Sequence, residues 1–354
     1  MKNHFKLLLS ATALLSLGLG SCTKDDEAVP GIDVGSPGNN AYVLNEGNYG
    51  KGNAAVSLFN KTTKALNDDI FKAVNKADLG DVVQSMTIVD NKGYIVVNNS
   101  NKIEVVSLPD FKSLTTVRGL TQPRYLLALG TAGKAYATEW RGGPYPAPYL
   151  AGRLTLLNLA TNAVGSSTPV GINPGQPVAF SSNLYVPNNG DSTVSVLSEA
   201  TGTLLRTVVV GAGPSTVVAD RNGKIWVLCD GDFATKPSTL VRFDPATPAT
   251  QTVLRFALSG GNASSLRLSP DGQLLYYSYN GAEYRMGVTD TALPTTPFIR
   301  RNLYGLNIDP RTGILYGTDA RDYNSAGKLL RYQANGTVID STVVKISPNG
   351  VVFY

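Results

Sequence analysis

Histidine is almost absent from this sequence. The 354 residues include one histidine, His4, which lies in the N-terminal segment that we interpret below as a signal peptide. Without an imidazole, the rest of the chain cannot perform Ser-His-Asp or Cys-His catalysis, ligate zinc through histidine or use a histidine general base. We therefore expect a protein that is not an enzyme, in which any chemistry depends on carboxylates, amides, Tyr, Arg, Lys or backbone groups.

Cysteine and long apolar runs are also scarce. The two cysteines, Cys22 and Cys229, lie far apart in the sequence, and a disulfide framework of that span is weakly supported. The apolar run at residues 7–20 follows Lys2 and Lys6, and it is shorter than the roughly 20 residues that a membrane helix needs. This pattern is typical of a signal peptide.

Positive charge is not concentrated anywhere in the chain. The formal net charge of +5 includes Lys2 and Lys6, which the signal peptide would remove, and no basic block remains. Nucleic acid is therefore not expected as a partner, because its binding depends on clustered positive charge.

Cys22 ends the sequence LGSC (19–22), which resembles the lipobox of bacterial lipoproteins. The resemblance implies a signal peptide at residues 1–21 and a lipidated Cys22, so that acyl chains alone contact the membrane. Residues 22–40 are acidic and rich in Gly, Pro and Asn, and they are predicted to form a flexible tether. The run TKDDE (23–27) resembles the export signal of Bacteroidota surface lipoproteins. This resemblance implies a protein that is anchored in the outer membrane and faces the cell exterior. The alternative is that the run is only a generic solvated tether.

The remaining chain repeats one pattern: an apolar strand, a tight polar turn and a second strand with an aromatic residue near its start. Examples are SMTIVDNKGYIVVNN and SLRLSPDGQLLYYSYN. The turn positions recur about every 40 to 50 residues, which in an all-β chain indicates a propeller. These positions are Gly93, Gly133, Asn183, Gly223, Gly272, Gly313 and Gly350.

The two ends of the chain are predicted to complete one blade together. AYVLNEGNYGKGNAAVSLFNKTTKAL (41–66) supplies a second, third and fourth strand, and VVKISP (343–348) supplies the missing first strand. Counting this shared blade gives a seven-bladed, all-β propeller over residues 41–354, with four strands in each blade. Closure of the ring removes exposed sheet edges.

The opening phrase AYVLNEGNYGKGNAAVSLFN (41–60) and the repeated G-x-Y/W-V strands resemble the YncE-like propellers of Bacteroidota surface lipoproteins. That group includes the cobalamin-capturing BtuG proteins. The resemblance implies capture of cobalamin or another corrinoid as a ligand and its transfer to a TonB-dependent outer-membrane transporter as partner. No other cofactor is expected.

Long, irregular loops are predicted on one face of the propeller, where binding residues are usually placed. They contain NEGNYGKGN, EWRGGPYPAPYLAG, CDGDFATKPS, YNGAEYRMG and DARDYNSAG. Aromatic residues beside arginines suit an amphipathic ligand, since rings cover its apolar surface and guanidinium groups bind its polar edges. The candidate ligand-binding residues are Tyr49, Trp140, Arg141, Tyr145, Tyr149, Phe233, Tyr279, Tyr284, Arg285, Arg321 and Tyr323.

Two further periodic sets receive structural interpretations. The second-strand aromatics are predicted to pack between blades; they are Tyr42, Tyr94, Tyr136, Tyr185, Trp226, Tyr276 and Tyr316. A ring of oxygen-bearing residues follows these strands: Asn45, Asn98, Glu139, Asn188, Asp230, Asn280 and Asp319. Such a ring could hold Ca²⁺, with Asp230, Asp232 and Asp319 as weak candidates, but local hydrogen bonds are the favoured interpretation.

Other functional classes stay open at this point, because propellers host many functions on one scaffold. One alternative is a calcium-dependent, lactonase-type hydrolase that uses the Asn and Asp ring. Another is a protein or glycan interaction module that uses the same loops.

Overall fold

The computed structural model describes residues 38–354 except 109, 131–132, 143–148, 233, 258–260 and 262. The predicted signal peptide, Cys22 and the tether up to residue 37 lie outside these residues, so their assignments stay predictions. The described chain is nearly all β, with seven antiparallel sheets that form the blades of a propeller, and one short helix. The predicted seven-bladed, all-β fold is confirmed.

The first four blades follow the chain in order. Blade 1 contains β1 (Asn40–Asn45), β2 (Ala55–Asn60), β3 (Leu66–Asn67) and the last strand of the chain, and helix α1 (Ile70–Asn75) follows it. Blade 2 contains β4 (Val83–Val89), β5 (Lys92–Val97), β6 (Lys102–Ser107) and β7 (Ser113–Val117). Blade 3 contains β8 (Pro123–Leu129), β9 (Lys134–Glu139), β10 (Ala151–Asn158) and β11 (Ala163–Ile172). Blade 4 contains β12 (Val178–Phe180), β13 (Asn183–Asn188), β14 (Thr193–Ser198) and β15 (Leu204–Val209).

The last three blades return to the start of the chain. Blade 5 contains β16 (Pro214–Ala219), β17 (Ile225–Cys229), β18 (Thr239–Phe243) and β19 (Gln251–Arg255). Blade 6 contains β20 (Ser264–Leu268), β21 (Leu274–Tyr279) and β22 (Ala282–Gly287). Blade 7 contains β23 (Gly305–Ile308), β24 (Leu315–Asp319), β25 (Ala326–Tyr332) and β26 (Val338–Ile346). The last strand, β27 (Pro348–Phe353), is the inner strand of blade 1.

The ends of the described chain close the ring as predicted, but through a different strand. β27 pairs with β1 in antiparallel register, with Val43 opposite Val351, whereas the residues VVKI of the predicted first strand end β26 on the outside of blade 7. Gly350 consequently lies inside β27 and not in a turn. The assignment was wrong because an outer strand also alternates between exposed and buried residues, as Val343 and Val344 do.

Blade 6 departs from the predicted four strands. Its fourth position is occupied by a segment that makes one isolated bridge, Ile299 with Glu283, among the described residues. Pro294 and Pro297 lie just before this bridge. Since proline has no N–H to donate to a β-ladder, these two residues prevent a regular edge strand there.

The second-strand aromatics form the core between blades, as predicted. All seven are at most 3% exposed. Tyr42 of blade 1 stacks on Phe111 of blade 2 with ring centroids 5.3 Å apart, and Tyr316 of blade 7 packs edge-on against Phe353 of β27 at 4.9 Å. Trp226 also donates a hydrogen bond of 2.8 Å from Nε1 to Asp220. These residues therefore stabilise the fold and do not line a site.

Candidate functional site

A polar cavity of about 320 Å³ opens at the long-loop face of the propeller, where the inner strands of the blades begin. Glu46 follows the end of β1 and Asp230 follows the end of β17, whereas Arg124 is the second residue of β8 and Tyr304 precedes β23. All of these positions lie at strand ends on that one face. We call this cavity the channel mouth, and its ionisable lining residues are Glu46, Arg124, Tyr125, Asp230, Arg267 and Tyr304.

Glu46 is held between blades 1 and 7 by neutral donors. Asn349 donates from Nδ2 to Oε1 of Glu46 at 2.9 Å, and the Tyr304 hydroxyl donates to Oε2 at 3.1 Å. Burial raises the pKa of Glu46 above its usual value, although these hydrogen bonds and the charge of Arg124 oppose the shift. The same burial, together with the negative charge of Glu46, raises the pKa of Tyr304.

Arg124 is positioned by Trp140. Its guanidinium carbon lies 3.9 Å from the centroid of the indole ring, a distance at which the cation is attracted to the ring face. Trp140 is itself fixed, because its Nε1 donates to the carbonyl of Pro174 at 3.0 Å. Burial lowers the pKa of Arg124, and its Nε has no hydrogen-bond partner among the described residues.

Asp230 occupies the boundary between blades 4 and 5. Ser215 donates from Oγ to one carboxylate oxygen at 2.5 Å, and Asn189 donates from Nδ2 to the other at 3.1 Å. Burial raises the pKa of Asp230 to about 6, because both donors are neutral and only partly compensate for lost hydration. Its charge therefore changes in the mildly acidic range.

An exposed tyrosine rim adjoins the channel mouth. Tyr49 is 74% exposed and Tyr323 is 52% exposed, and the Tyr323 ring packs edge-on against Tyr304 with centroids 5.2 Å apart. Asn48 joins the two loops by donating to the carbonyl of Tyr323 at 3.0 Å. A second cavity beside this rim shares Glu46 with the channel mouth, so the two spaces meet at that carboxylate.

The structure brings several predicted site residues to this face. Tyr49 and Tyr323 form the rim, Trp140 supports Arg124, and Arg321 is exposed in the loop after β24, where it donates to the carbonyl of Ala326 at 3.2 Å. Arg141 and Tyr149 are exposed on either side of residues 143–148. Tyr145 and Phe233 lie outside the described residues, so their predicted role stays a prediction.

Three predicted site residues are not brought to the rim. YNGAEYRMG was interpreted as a long loop, but only Asn280 and Gly281 form a turn; Tyr279 ends β21, and the remaining residues form β22. Tyr284 stacks on buried Tyr277 at 5.8 Å, and Tyr279 packs against Phe256 of blade 5 at 4.8 Å. Their side chains are engaged in packing.

Arg285 is directed away from the long-loop face. It donates to the carbonyl of Ala334 at 2.8 Å, in the turn between the third and fourth strands of blade 7, which lies on the opposite face. The loop interpretation was wrong because Glu283 makes β22 look polar; its carboxylate is buried and accepts a hydrogen bond from Ser278 at 2.7 Å.

The three candidate calcium ligands have separate protein partners. The carboxylate of Asp232 accepts hydrogen bonds from the backbone N–H groups of its own loop, which hold its pKa well below the usual value. Asp319 pairs with Arg301 at 2.7 Å, and Asp230 is bound as described above. Within the described ranges, no three Asp, Glu, Cys or His residues form a cluster that could hold a metal ion.

Local hydrogen bonds also account for buried members of the oxygen ring. Asn45 donates to the Ser57 hydroxyl at 3.0 Å, and Asn188 donates to that of Ser195 at 3.0 Å. Glu139 accepts two hydrogen bonds of 2.9 Å from Arg153. These contacts agree with the favoured interpretation of the ring.

Sequence reasoning missed the inner-strand residues of the channel mouth, namely Arg124, Tyr125, Arg267 and Tyr304. A usable signal existed, because each stands directly before or within a first strand, in QPRYLLAL, SSLRLSP or LYGLN. The search for ligand-binding residues was confined to loops. Side chains of the seven inner strands converge on the axis of the ring.

No helix in the part of the chain that the structure describes is long and apolar enough to cross a membrane. The single described cysteine, Cys229, is a free and buried thiol, and burial raises its pKa to about 12. It is therefore protonated and unreactive near neutral pH.

Solved structures resemble the chain in fold at low sequence identity. A quinonprotein alcohol dehydrogenase-like protein from Bacteroides thetaiotaomicron is 12% identical, with a TM-score of 0.64 over 89% of this chain and 78% of that one. A functionally unknown protein from Desulfotomaculum acetoxidans is also 12% identical, with a TM-score of 0.64 over 89% and 98% of the two chains. Hydrazine synthase from Kuenenia stuttgartiensis is 13% identical, with a TM-score of 0.56 over 72% and 77%. At these identities the similarity concerns the fold alone.

No curated protein matches the sequence. The family described as a domain of unknown function, DUF5074, matches residues 39–341. This match covers most of the chain, which therefore belongs to the DUF5074 family.

Proposed function

We propose that this protein is a non-catalytic binding module that takes an amphipathic small molecule at the channel mouth. The observation that carries the proposal is the juxtaposition of a polar cavity with the exposed rings of Tyr49 and Tyr323. Exposed tyrosines offer apolar area at low entropic cost, and the buried polar groups beside them bind and orient polar edges.

The resemblance to YncE-like surface propellers favours a corrinoid as the ligand. A corrin ring is broad and carries amide side chains, which match the donors and acceptors that Glu46, Tyr125 and Arg124 present in the cavity. The protein without its signal peptide has no imidazole for cobalt. Capture would consequently depend on the face and periphery of the ring.

Lipidation of Cys22 would place this module on the outer membrane, facing the cell exterior, as the sequence predicts. A TonB-dependent transporter is the partner that fits a surface protein of this kind, since a captured ligand must still cross the outer membrane. The acidic tether would leave the long-loop face free to meet the transporter.

Calorimetric titration tests the ligand. We expect saturable binding of cyanocobalamin to the purified protein, with a dissociation constant that rises about tenfold or more when Tyr49 and Tyr323 are both replaced by Ala. The matched control is Leu205→Ala on the outer strand β15, where Leu205 is 53% exposed, and this variant should bind as the wild type does. Cobinamide, which lacks the lower base, shows whether that base is recognised.

The outcome that contradicts the corrinoid proposal is the absence of both heat and thermal stabilisation with either ligand. The site would then have to be tested against glycans and protein partners. Loss of a hydrolytic activity on addition of a chelator would instead support the calcium-dependent lactonase alternative.

A further inference from the structure

Two arginines at the channel mouth have no ionic partner among the described residues. Arg124 belongs to blade 3 and Arg267 to blade 6, and both line the same cavity with Tyr125. Neither forms an ion pair with any residue that the structure describes. Arg267 donates from Nη1 to the neighbouring carbonyl of Leu266 at 2.9 Å, and Arg124 has a buried Nε without a partner.

Several half-buried or buried arginines of this protein are paired with carboxylates, whereas half-buried Arg242 donates instead to the carbonyl of Val288 at 3.1 Å. Arg153 binds Glu139 through two hydrogen bonds of 2.9 Å, and Arg331 binds Asp340 in the same two-point manner. Such pairing offsets the free energy that a charge loses on leaving water. The channel arginines lack this compensation, and burial lowers the pKa of both.

The carboxylates of the same cavity do not form ion pairs with Arg124 or Arg267. Glu46 is bound by Asn349 and Tyr304, and Asp230 by Ser215 and Asn189, all through neutral donors. Glu46 attracts Arg124 through space without forming a contact. The Nε of Arg124 and the N–H groups of Arg267 other than its Nη1 donor are thus left for a group from outside the chain.

We propose that the channel mouth binds an oxyanion, a phosphate or carboxylate group, between Arg124 and Arg267, and that Trp140 positions Arg124 for this contact. Guanidinium groups match such anions by donating two parallel hydrogen bonds. This site goes beyond the proposed corrinoid capture and does not depend on it.

Titration of inorganic phosphate into the purified protein at low ionic strength tests the site, with heat and the melting temperature as readouts. We expect saturable one-to-one binding below about 10 mM, weakened about tenfold or more by Arg124→Gln and by Arg267→Gln. Asp230→Asn should strengthen binding, because it removes a negative charge from the cavity. Arg255→Gln, which removes an exposed arginine from the outer strand β19, should leave it unchanged.

Absence of saturable heat with phosphate and with succinate would overturn the proposal, as would an equal loss of binding in Arg255→Gln. If Arg124→Gln does not fold, the other two variants still test the proposal, because Arg267→Gln should weaken phosphate binding and Asp230→Asn should strengthen it. Tighter binding of glycerol 2-phosphate than of inorganic phosphate would indicate that the oxyanion is part of a larger ligand. Equal or weaker binding would indicate that the site takes the free ion. Phosphate binding without corrinoid binding would refute the corrinoid proposal alone.

Discussion

Asp230 illustrates how the fold changes the chemistry of a single residue. Its pKa rises from 3.8 to about 6 because the carboxyl is buried with neutral hydrogen-bond donors. A folded state that holds a proton more tightly than the unfolded state gains stability, which is fully present below about pH 3.8 and is lost as the pH rises through about 6. At neutral pH the ionised Asp230 therefore costs stability.

Replacing Asp230 with Asn should raise the free energy of unfolding by about 1 to 3 kcal/mol at pH 8, with little effect near pH 4. The amide keeps an acceptor for Asn189 and can donate to the Ser215 hydroxyl. Urea denaturation at both pH values measures the difference. Asp232→Asn is the control of opposite sign, because the loop N–H groups stabilise the Asp232 carboxylate. An equal change at pH 4 and pH 8 would contradict the ionic explanation.

At the scale of the elements, ring closure depends on β27. This strand supplies the inner edge of blade 1 through its pairing with β1, and its Val351 is 3% exposed. The repeat predicted that the two ends share a blade, since the first copy lacks a strand. It could not distinguish β27 from the end of β26, because each segment contains a pair of adjacent valines, Val351 and Val352 in one and Val343 and Val344 in the other.

Truncation after Ser347, which removes β27, should abolish the cooperative thermal transition and the near-UV circular dichroism of the protein. The physical reason is that β1 would become an unpaired, apolar edge. Removing Tyr354 alone keeps all of β27 and should leave a native, cooperative protein. A truncated chain with an unchanged midpoint would show that closure does not require β27.

At the scale of the whole molecule, the blades form a closed ring in which the two ends of the described chain meet. The backbone N–H of Gly38 donates to the carbonyl of Tyr354, so the two ends of the described chain are adjacent. Adjacent ends on a closed ring permit circular permutation, provided that the new ends fall in an exposed segment.

A permutant that joins Tyr354 to Gly38 through about four Gly and Ser residues, and opens between the exposed Thr295 and Thr296, should fold. We expect its melting temperature to fall by less than about 10 °C, as measured by circular dichroism. A permutant opened inside β9, between the buried Ala137 and Thr138, should not fold. Failure of both permutants would mean that the native order of the chain is required.

The sequence by itself determined the class of fold, the number of blades and the aromatic packing between them. These three features depend on a local sequence repeat of strand, turn and strand, in which an aromatic residue recurs at a fixed position. It also placed Tyr49, Tyr323 and Trp140 correctly on the long-loop face. It could not separate β22 from a loop, because Glu283 looks exposed in the sequence, whereas the structure buries its carboxylate with hydrogen bonds from Ser278 and the Leu303 backbone.

Only the tertiary structure decided where the chemistry of the site lies. Glu46, Arg124, Asp230 and Arg267 come from blades 1, 3, 5 and 6 and are far apart in the sequence. Their convergence follows from closure of the ring, which directs the inner strands and the adjoining ends of the second strands toward one axis. Their unusual ionisation follows from burial in that shared cavity, and neither effect can be read from any one repeat.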